Sequence, residues 1–204
     1  MYKKVPIYIV FESSIIKQQS ARDFINRILE RFKIDPYALS DFWLGIVSYD
    51  VEVTFIRNLS PIDEIDKYRT LVETQLNLFG TSNFLSSLDN ISSWSEPDFY
   101  KMVSVLSTEL SKLNYKEWHG PIIYLITHCQ DETTYYKGFS ELHDRHKDLE
   151  ICHINLCPMP RIDVSINIDS LDDIDSIGYS LVNYYDGGLD CYYPKTEIRR
   201  KNGI

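Results

Sequence analysis

The chain has 204 residues, of which 44% are hydrophobic and 25% charged, a balance typical of a soluble globular protein with one well-buried core. The formal net charge of −9 argues against general binding to nucleic acid or to anionic membranes, because both carry negative charge themselves. No apolar run approaches the roughly 20 residues that span a bilayer, and the first residues lack a secretory signal pattern. We therefore expect a cytoplasmic protein.

Residues 5–14 (Val-Pro-Ile-Tyr-Ile-Val-Phe-Glu-Ser-Ser) form a near-continuous apolar run that ends in a carboxylate and two hydroxyls. A strand that is covered by helices on both faces reads this way, since neither face has to be polar. In open α/β sheets ligands bind just past the carboxyl ends of the strands. The pattern therefore places Glu12, Ser13 and Ser14 at a candidate functional edge.

An amphipathic helix follows over residues 21–32, and the Ser20–Asp23 spacing resembles a capping box at its start. Two short runs rich in β-formers come next, over residues 42–49 and 51–57. Strands so close in sequence pair in antiparallel fashion, because a parallel partner needs a crossover of a dozen or more residues. The two runs therefore predict a hairpin.

The middle of the chain reads as helices separated by a loop. Residues 60–63 (Ser-Pro-Ile-Asp) have the cap and the proline of a helix start, and residues 75–83 read as a loop with a helix after it. Residues 95–98 predict another helix start, and Trp118-His119-Gly120 predict its end.

The last part of the chain predicts a strand–helix–strand crossover. Residues 121–127 form a second fully apolar run, which closes on a polar stretch. The remaining predicted elements are a helix over 133–147, a strand over 150–156, a weaker strand over 164–168 and a final helix from Ser170 to Val182.

Strands that alternate with helices around two apolar central strands predict a doubly wound α/β fold. The sheet should be mostly parallel, with helices on both faces and one antiparallel edge supplied by the hairpin. We expect a single domain over residues 1–190 and a C-terminal tail, residues 191–204, that is flexible.

The order of these elements and their polar strand ends resembles the von Willebrand factor type A (vWA) domain. The resemblance rests on the first strand running into Glu-Ser-Ser, the hairpin at 44–56, the loop at 79–83 and the run at 122–127. It implies a six-stranded sheet. The small size and the absence of secretory features look most like bacterial intracellular members, including the tellurite-resistance type.

The family holds a divalent cation at a metal-ion-dependent adhesion site (MIDAS) with the motif Asp-x-Ser-x-Ser, a Thr and a second Asp. Position by position, Glu12 stands for the first Asp, Ser14 matches the first Ser and Ile16 replaces the second Ser. Thr81 matches the Thr, and His128 stands where the second Asp is expected. The resemblance thus implies a degenerate site.

Coordination chemistry indicates that this set does not hold Mg²⁺, which requires oxygen ligands in near-octahedral geometry. Isoleucine offers no ligand, imidazole suits softer metals, and the extra methylene of the glutamate displaces its carboxylate by roughly 1 Å. We expect no metal and no other cofactor. The alternative is a Mg²⁺- or Mn²⁺-dependent site rebuilt from Glu12, Ser13, Ser14, Thr81 and Asp131.

The leading hypothesis is a non-enzymatic protein-interaction module that binds a partner protein. What the resemblance implies is an adaptor or scaffold in a bacterial multi-protein system, such as stress response or phage defence. The oligomeric state stays open. Tyrosine, present 15 times, is favoured at protein interfaces, which agrees with this reading.

A hydrolase is the remaining alternative, with Ser13 or Ser14 as nucleophile and His128 as base. It lacks the Gly-x-Ser-x-Gly turn of many hydrolases. His143 and His146 share one side of a predicted helix, and we expect them to be exposed.

The four cysteines, which occur without a Cys-x-x-Cys pair, are expected to be mostly reduced and buried or half-buried. Zinc is the alternative, yet Cys152-His153 and Cys157 lack a matching second pair of ligands.

Overall fold

The apolar runs of the sequence form the strands of one six-stranded sheet in the computed structural model. The structure describes residues 4–34, 42–62, 97–114, 116–128, 131–146, 148–157, 162–179 and 194–196. The strands of this sheet are β1 (Val5–Glu12), β2 (Phe42–Tyr49), β3 (Val53–Pro61), β4 (Ile122–Thr127), β5 (Glu150–Asn155) and β6 (Ile166–Ile168).

The strand order is β3-β2-β1-β4-β5-β6, and β3 alone runs antiparallel to its neighbour. This confirms the predicted doubly wound α/β sheet with one antiparallel edge strand. Every residue of β1 and β4 is buried, as a central strand covered on both faces requires.

Helices cover both faces of the sheet. A short 3-10 turn (Ser13–Lys17) leads from β1 into α1 (Gln19–Ile34), and the other described helices are α2 (Phe99–Leu110), α3 (Glu132–Arg145) and α4 (Leu171–Ser176). One hydrophobic cluster joins the odd-numbered apolar residues of β1 to α1 and α4, and a second joins its even-numbered ones to α2 and α3. The alternation of side chains along β1 therefore feeds two separate cores.

Helices α2 and α3 pack closely against each other. A Cβ atom built on Gly138 of α3 would lie 2.4 Å from Cε1 of Phe99 and 3.1 Å from Cγ2 of Val103, both on α2. Phe99 also stands edge-on to Tyr135 at 5.2 Å between ring centroids. The missing side chain at Gly138 is what lets the aromatic ring sit between the two helices.

Several predicted boundaries are wrong. Strand β3 continues to Pro61, so Ser60 does not cap a helix there. Helix α1 begins at Gln19, which puts Ser20 inside its first turn. Helix α2 is capped by Asp98 and ends at Leu110, well before Trp118. The predicted loop and helix between residues 75 and 95 lie outside the described residues.

The end of the chain also departs from the prediction. Helix α4 stops at Ser176, and residues 177–179, predicted as helical, form β7 (Ile177–Tyr179). This strand pairs in antiparallel fashion with β8 (Pro194–Thr196), which falls in the predicted C-terminal tail. The rest of that tail lies outside the described residues.

The amino edge of the sheet carries a cation held by two tryptophans. Lys4 Nζ lies 4.2 Å from the ring centroid of Trp43 and 5.2 Å from that of Trp118, and the two rings meet edge-on. The Lys4 backbone exchanges hydrogen bonds with Glu117 and His119. This cluster ties the start of β1 to β2 and to the segment before β4.

Candidate functional site

Strand β1 marks the topological switch point of the sheet, because the chain continues from it to β2 on one side and later to β4 on the other. Crevices at such points, past the carboxyl ends of the strands, are where α/β sheets bind ligands. Glu12 is the last residue of β1, and His128 directly follows β4. The predicted edge residues thus flank the switch point.

Glu12 is buried, with 3% of its surface exposed. Its Oε1 accepts a hydrogen bond from the Ser14 hydroxyl, and its Oε2 accepts one of 3.3 Å from the His128 backbone N–H. Burial raises the pKa of the Glu12 carboxyl above its usual value, the two hydrogen bonds and the nearby His128 lower it in part, and nearby Asp50 raises it. The site therefore holds a carboxyl group that burial disfavours in its charged form.

Tyr49 stands beside Glu12 in the register of β1 and β2. Its side chain is fully buried, and its hydroxyl finds no hydrogen-bond partner within the described structure. Burial, followed by the nearby carboxylate of Glu12, raises the pKa of the Tyr49 phenol well above its usual value. The sequence analysis missed this residue, because a tyrosine that ends an apolar strand looks the same as a core residue.

The serines and His128 are placed as predicted, at the ends of adjacent strands. Ser13 is half-buried, Ser14 is exposed and His128 is half-buried. The hydroxyl of Ser14 donates to Glu12, and the His128 backbone reaches the same carboxylate. These contacts bring two of the predicted site residues, Ser14 and His128, to a third, Glu12.

Asp131 has a different role from the predicted one. Its carboxylate caps α3 by accepting hydrogen bonds from the backbone N–H of Thr134, at 2.9 Å, and from the Thr134 hydroxyl. These bonds lower the pKa of the exposed Asp131 carboxyl. Thr81, the other predicted oxygen ligand, lies outside the described residues.

The described residues around Glu12 leave few ligands free for a metal. Within the described ranges, no group of three or more His, Cys, Asp or Glu residues lies close enough together to hold an ion. Glu12 and Ser14 already satisfy each other, and the oxygens of Asp131 are engaged at the start of α3. Among the described residues, few oxygen ligands are free for a hard divalent cation.

His143 and His146 were predicted to be exposed, but neither side chain is. His146 is 98% buried and shares a 2.9 Å hydrogen bond with the Ser107 hydroxyl, and burial lowers its pKa. His143 bonds the Val164 carbonyl oxygen at 2.8 Å. Both side chains hold neighbouring elements together.

Three observations bear on the predicted reduced cysteines and on the zinc alternative. Cys152 is a free, buried thiol in the core that contains α1. The next residue, His153, faces the other core. Its ring nitrogen forms a 2.9 Å hydrogen bond with the Thr127 hydroxyl. Burial lowers the pKa of His153 to about 3, so the ring is neutral. Cys157 takes part in a disulfide whose other cysteine lies outside the described residues, so the expectation of a reduced thiol is wrong there. Cys152 and His153 therefore do not face a common metal.

The exposed large apolar side chains of the described residues share one feature: each follows the carboxyl end of a strand or starts a helix there. Val51 comes after β2, and Leu171 begins α4 just past β6. Tyr100 is the second residue of α2, and Tyr136 is the fifth residue of α3. The start of α2 joins this edge through a 2.9 Å hydrogen bond from the Asp98 N–H to the Asp50 carbonyl. Their exposed fractions run from 38% to 51%.

Comparison with solved structures finds this fold at low sequence identity. Proximal thread matrix protein 1 from the mussel byssus aligns with a TM-score of 0.53 and 9% identity over 86% of this chain and 46% of its own. The same protein with a zinc-occupied MIDAS motif gives 0.52 and 16% identity over 86% and 44%. BatB from Bacteroides thetaiotaomicron gives 0.48 and 12% identity over 74% and 66%.

The chain spans less than half the length of the mussel protein it matches. No protein-family model matches the sequence, and no curated protein matches it. At these identities the likeness shows the fold, which supports the vWA-like architecture. In the part of the chain that the structure describes, no helix is long and apolar enough to cross a membrane.

Proposed function

We propose that this chain is a non-enzymatic protein-interaction module that contacts a partner protein through the carboxyl edge of its sheet. The observation that carries the proposal is that the exposed large apolar side chains of the described residues lie at this edge of the sheet. Exposed tyrosines suit such a surface because each offers an apolar ring and a polar tip.

The finer parts of the proposal follow from the vWA resemblance. The chain is an adaptor or scaffold of a bacterial multi-protein system, such as stress response or phage defence, and its MIDAS is degenerate. The set of ligands around Glu12, which does not fit a hard cation, supports the degenerate site. The cytoplasm remains the expected compartment, although disulfides such as that of Cys157 are commoner in oxidising compartments.

The other two functions have less support. A Mg²⁺- or Mn²⁺-dependent module needs more free oxygen ligands than the described residues bring together. The predicted hydrolase needs a serine that His128 activates, whereas the Ser14 hydroxyl donates to the carboxyl of Glu12. Neither reading gains a supporting contact.

The test is quantitative affinity capture from native cells with four forms of the chain. Tyr100→Glu and Tyr136→Glu each place a charge at the edge. Thr108→Glu is the matched control, because it adds the same charge at an exposed position of α2 about 12 Å further along the helix.

We expect the wild type and Thr108→Glu to capture a common set of proteins that both edge variants fail to capture. Equal recovery by all four forms would contradict the proposal, and so would labelling of Ser13 or Ser14 by an active-site serine probe.

A further inference from the structure

Glu12 is the one buried acid among the described residues, and none of the salt bridges between described residues involves it. A buried carboxylate normally has a cationic partner, because desolvation of an isolated charge is costly. Here the acid accepts only a serine hydroxyl and one long backbone hydrogen bond. His128 is the one nearby group whose positive charge lowers the pKa of Glu12, and no described side chain forms an ion pair with the acid.

The Tyr49 hydroxyl adds an independent sign of a missing group. Tyr49 pairs with Glu12 in the strand register, and its buried hydroxyl makes no hydrogen bond in the described structure. Buried hydroxyls usually have a partner, so an unsatisfied one calls for an explanation. A donor that reached Glu12 from the open edge could also donate to the lone pairs of the Tyr49 oxygen.

The surrounding edge is negative as well. Asp50 follows β2, and Asp98 caps α2 beside it. Glu52 is paired with Lys101 at 2.6 Å, so that lysine does not compensate Glu12. The edge therefore attracts cations and repels acidic ligands.

We propose that the Glu12–Tyr49 site receives an arginine side chain of the partner protein. The guanidinium is a planar donor fork that matches carboxylate geometry, and its weak hydration suits a site with little water. Ser14 is exposed, so its hydroxyl can be displaced from Glu12 on the solvent side. The positive charge of this arginine would stand where the metal ion stands in the vWA family.

This inference rests on the proposed interaction function, because the arginine belongs to the bound partner. It adds a chemical criterion for that partner: an exposed arginine at the centre of its contact surface, where arginine is often a dominant residue.

The test uses the full ¹⁵N-labelled chain and N-acetyl-arginine methylamide as the probe. N-acetyl-citrulline methylamide is the matched control ligand, since it keeps the shape without the charge. Amide signals of Ser14, Tyr49 and His128 report on the site. The variants are Glu12→Gln and Tyr49→Phe, with Glu132→Gln as a control that removes an exposed acid from the start of α3.

We expect saturable shifts of the three amides with the arginine compound and none with the citrulline compound. Loss of a charged hydrogen-bond partner should weaken binding in Glu12→Gln about 10- to 100-fold. Tyr49→Phe should weaken it about 2- to 10-fold, as expected for one neutral hydrogen bond, and Glu132→Gln should bind as the wild type does. Unchanged amide signals elsewhere show that each variant is folded.

Binding that is equal in the wild type and Glu12→Gln would overturn the inference, as would an absence of saturable shifts. The same shifts produced by Mg²⁺ without the probe would overturn it in favour of a metal. The two proposals fail separately. If partner capture depends on Tyr100 but the chain does not bind the arginine compound, only this inference is wrong. If the chain binds the arginine compound but capture does not depend on the edge residues, the proposed interaction function is wrong.

Discussion

Replacing Tyr49 by phenylalanine tests the central feature of the site, a buried hydroxyl without a hydrogen-bond partner. The hydroxyl loses its water on folding and gains nothing in return within the described structure. Such an unsatisfied group costs about 1–3 kcal/mol. The variant keeps the buried ring and removes the cost, so we expect the free energy of unfolding to rise by about 1 kcal/mol.

The measurement is urea unfolding and thermal unfolding of the wild type and Tyr49→Phe in the same buffer. For a chain of this size, about 1 kcal/mol corresponds to a rise of roughly 2–4 °C in Tm. Tyr8→Phe offers a parallel case, since the Tyr8 hydroxyl is also buried without a partner. Both variants should shift stability in the same direction.

Thr127→Val is the control of opposite sign. It also removes one buried hydroxyl, but this one bonds the ring nitrogen of His153 at 2.9 Å. The variant leaves the buried histidine unsatisfied, so we expect a loss of about 1–3 kcal/mol. A loss of 1 kcal/mol or more in Tyr49→Phe would refute the reasoning, because the hydroxyl would then make a stabilising bond.

Three further predictions concern charge and packing. Because the folded-state pKa of Glu12 is raised, its contribution to stability is greatest below its unfolded pKa near 4.5 and declines as pH rises towards the folded value. Glu12→Gln should therefore gain stability relative to the wild type between pH 4 and pH 7, and a constant difference in urea unfolding across this range would contradict that sign. Gly138→Ala should lower the free energy of unfolding by about 1–2 kcal/mol, because the clash with Phe99 outweighs the better helix propensity of alanine. Adding Phe99→Leu to this variant should restore part of the lost stability. Lys4→Met should cost about 0.5–2 kcal/mol in thermal unfolding by removing the cation from the ring of Trp43, and unchanged stability would show that the contact contributes nothing.

The sheet could be predicted because its strands are buried on both faces. The apolar runs that became β1 and β4 leave no other assignment, and their polar ends located Glu12 and His128 correctly. The helix start predicted at Ser60 is wrong for a physical reason: a cap signature is local, whereas an edge strand tolerates a proline such as Pro61 because one side of it needs no hydrogen bonds.

The site itself was harder to predict than the sheet. Asp131 looked like a ligand because polar residues after a strand serve equally as helix caps, and only the position of Thr134 decides between the two. Tyr49 carried no signal at all, since its importance lies in the register that sets it beside Glu12. Pairing across strands is not visible in the order of residues along one strand.

The Lys4 cluster has a practical consequence for optical measurements. Trp43 and Trp118 lie at the amino edge of the sheet, and the length of β1 from Val5 to Glu12 is about 23 Å. Their fluorescence should therefore change when the sheet unfolds and change little when a partner binds at the opposite edge. The third tryptophan, Trp94, lies outside the described residues. A change in emission on docking would then originate at Trp94 or from movement of the whole sheet.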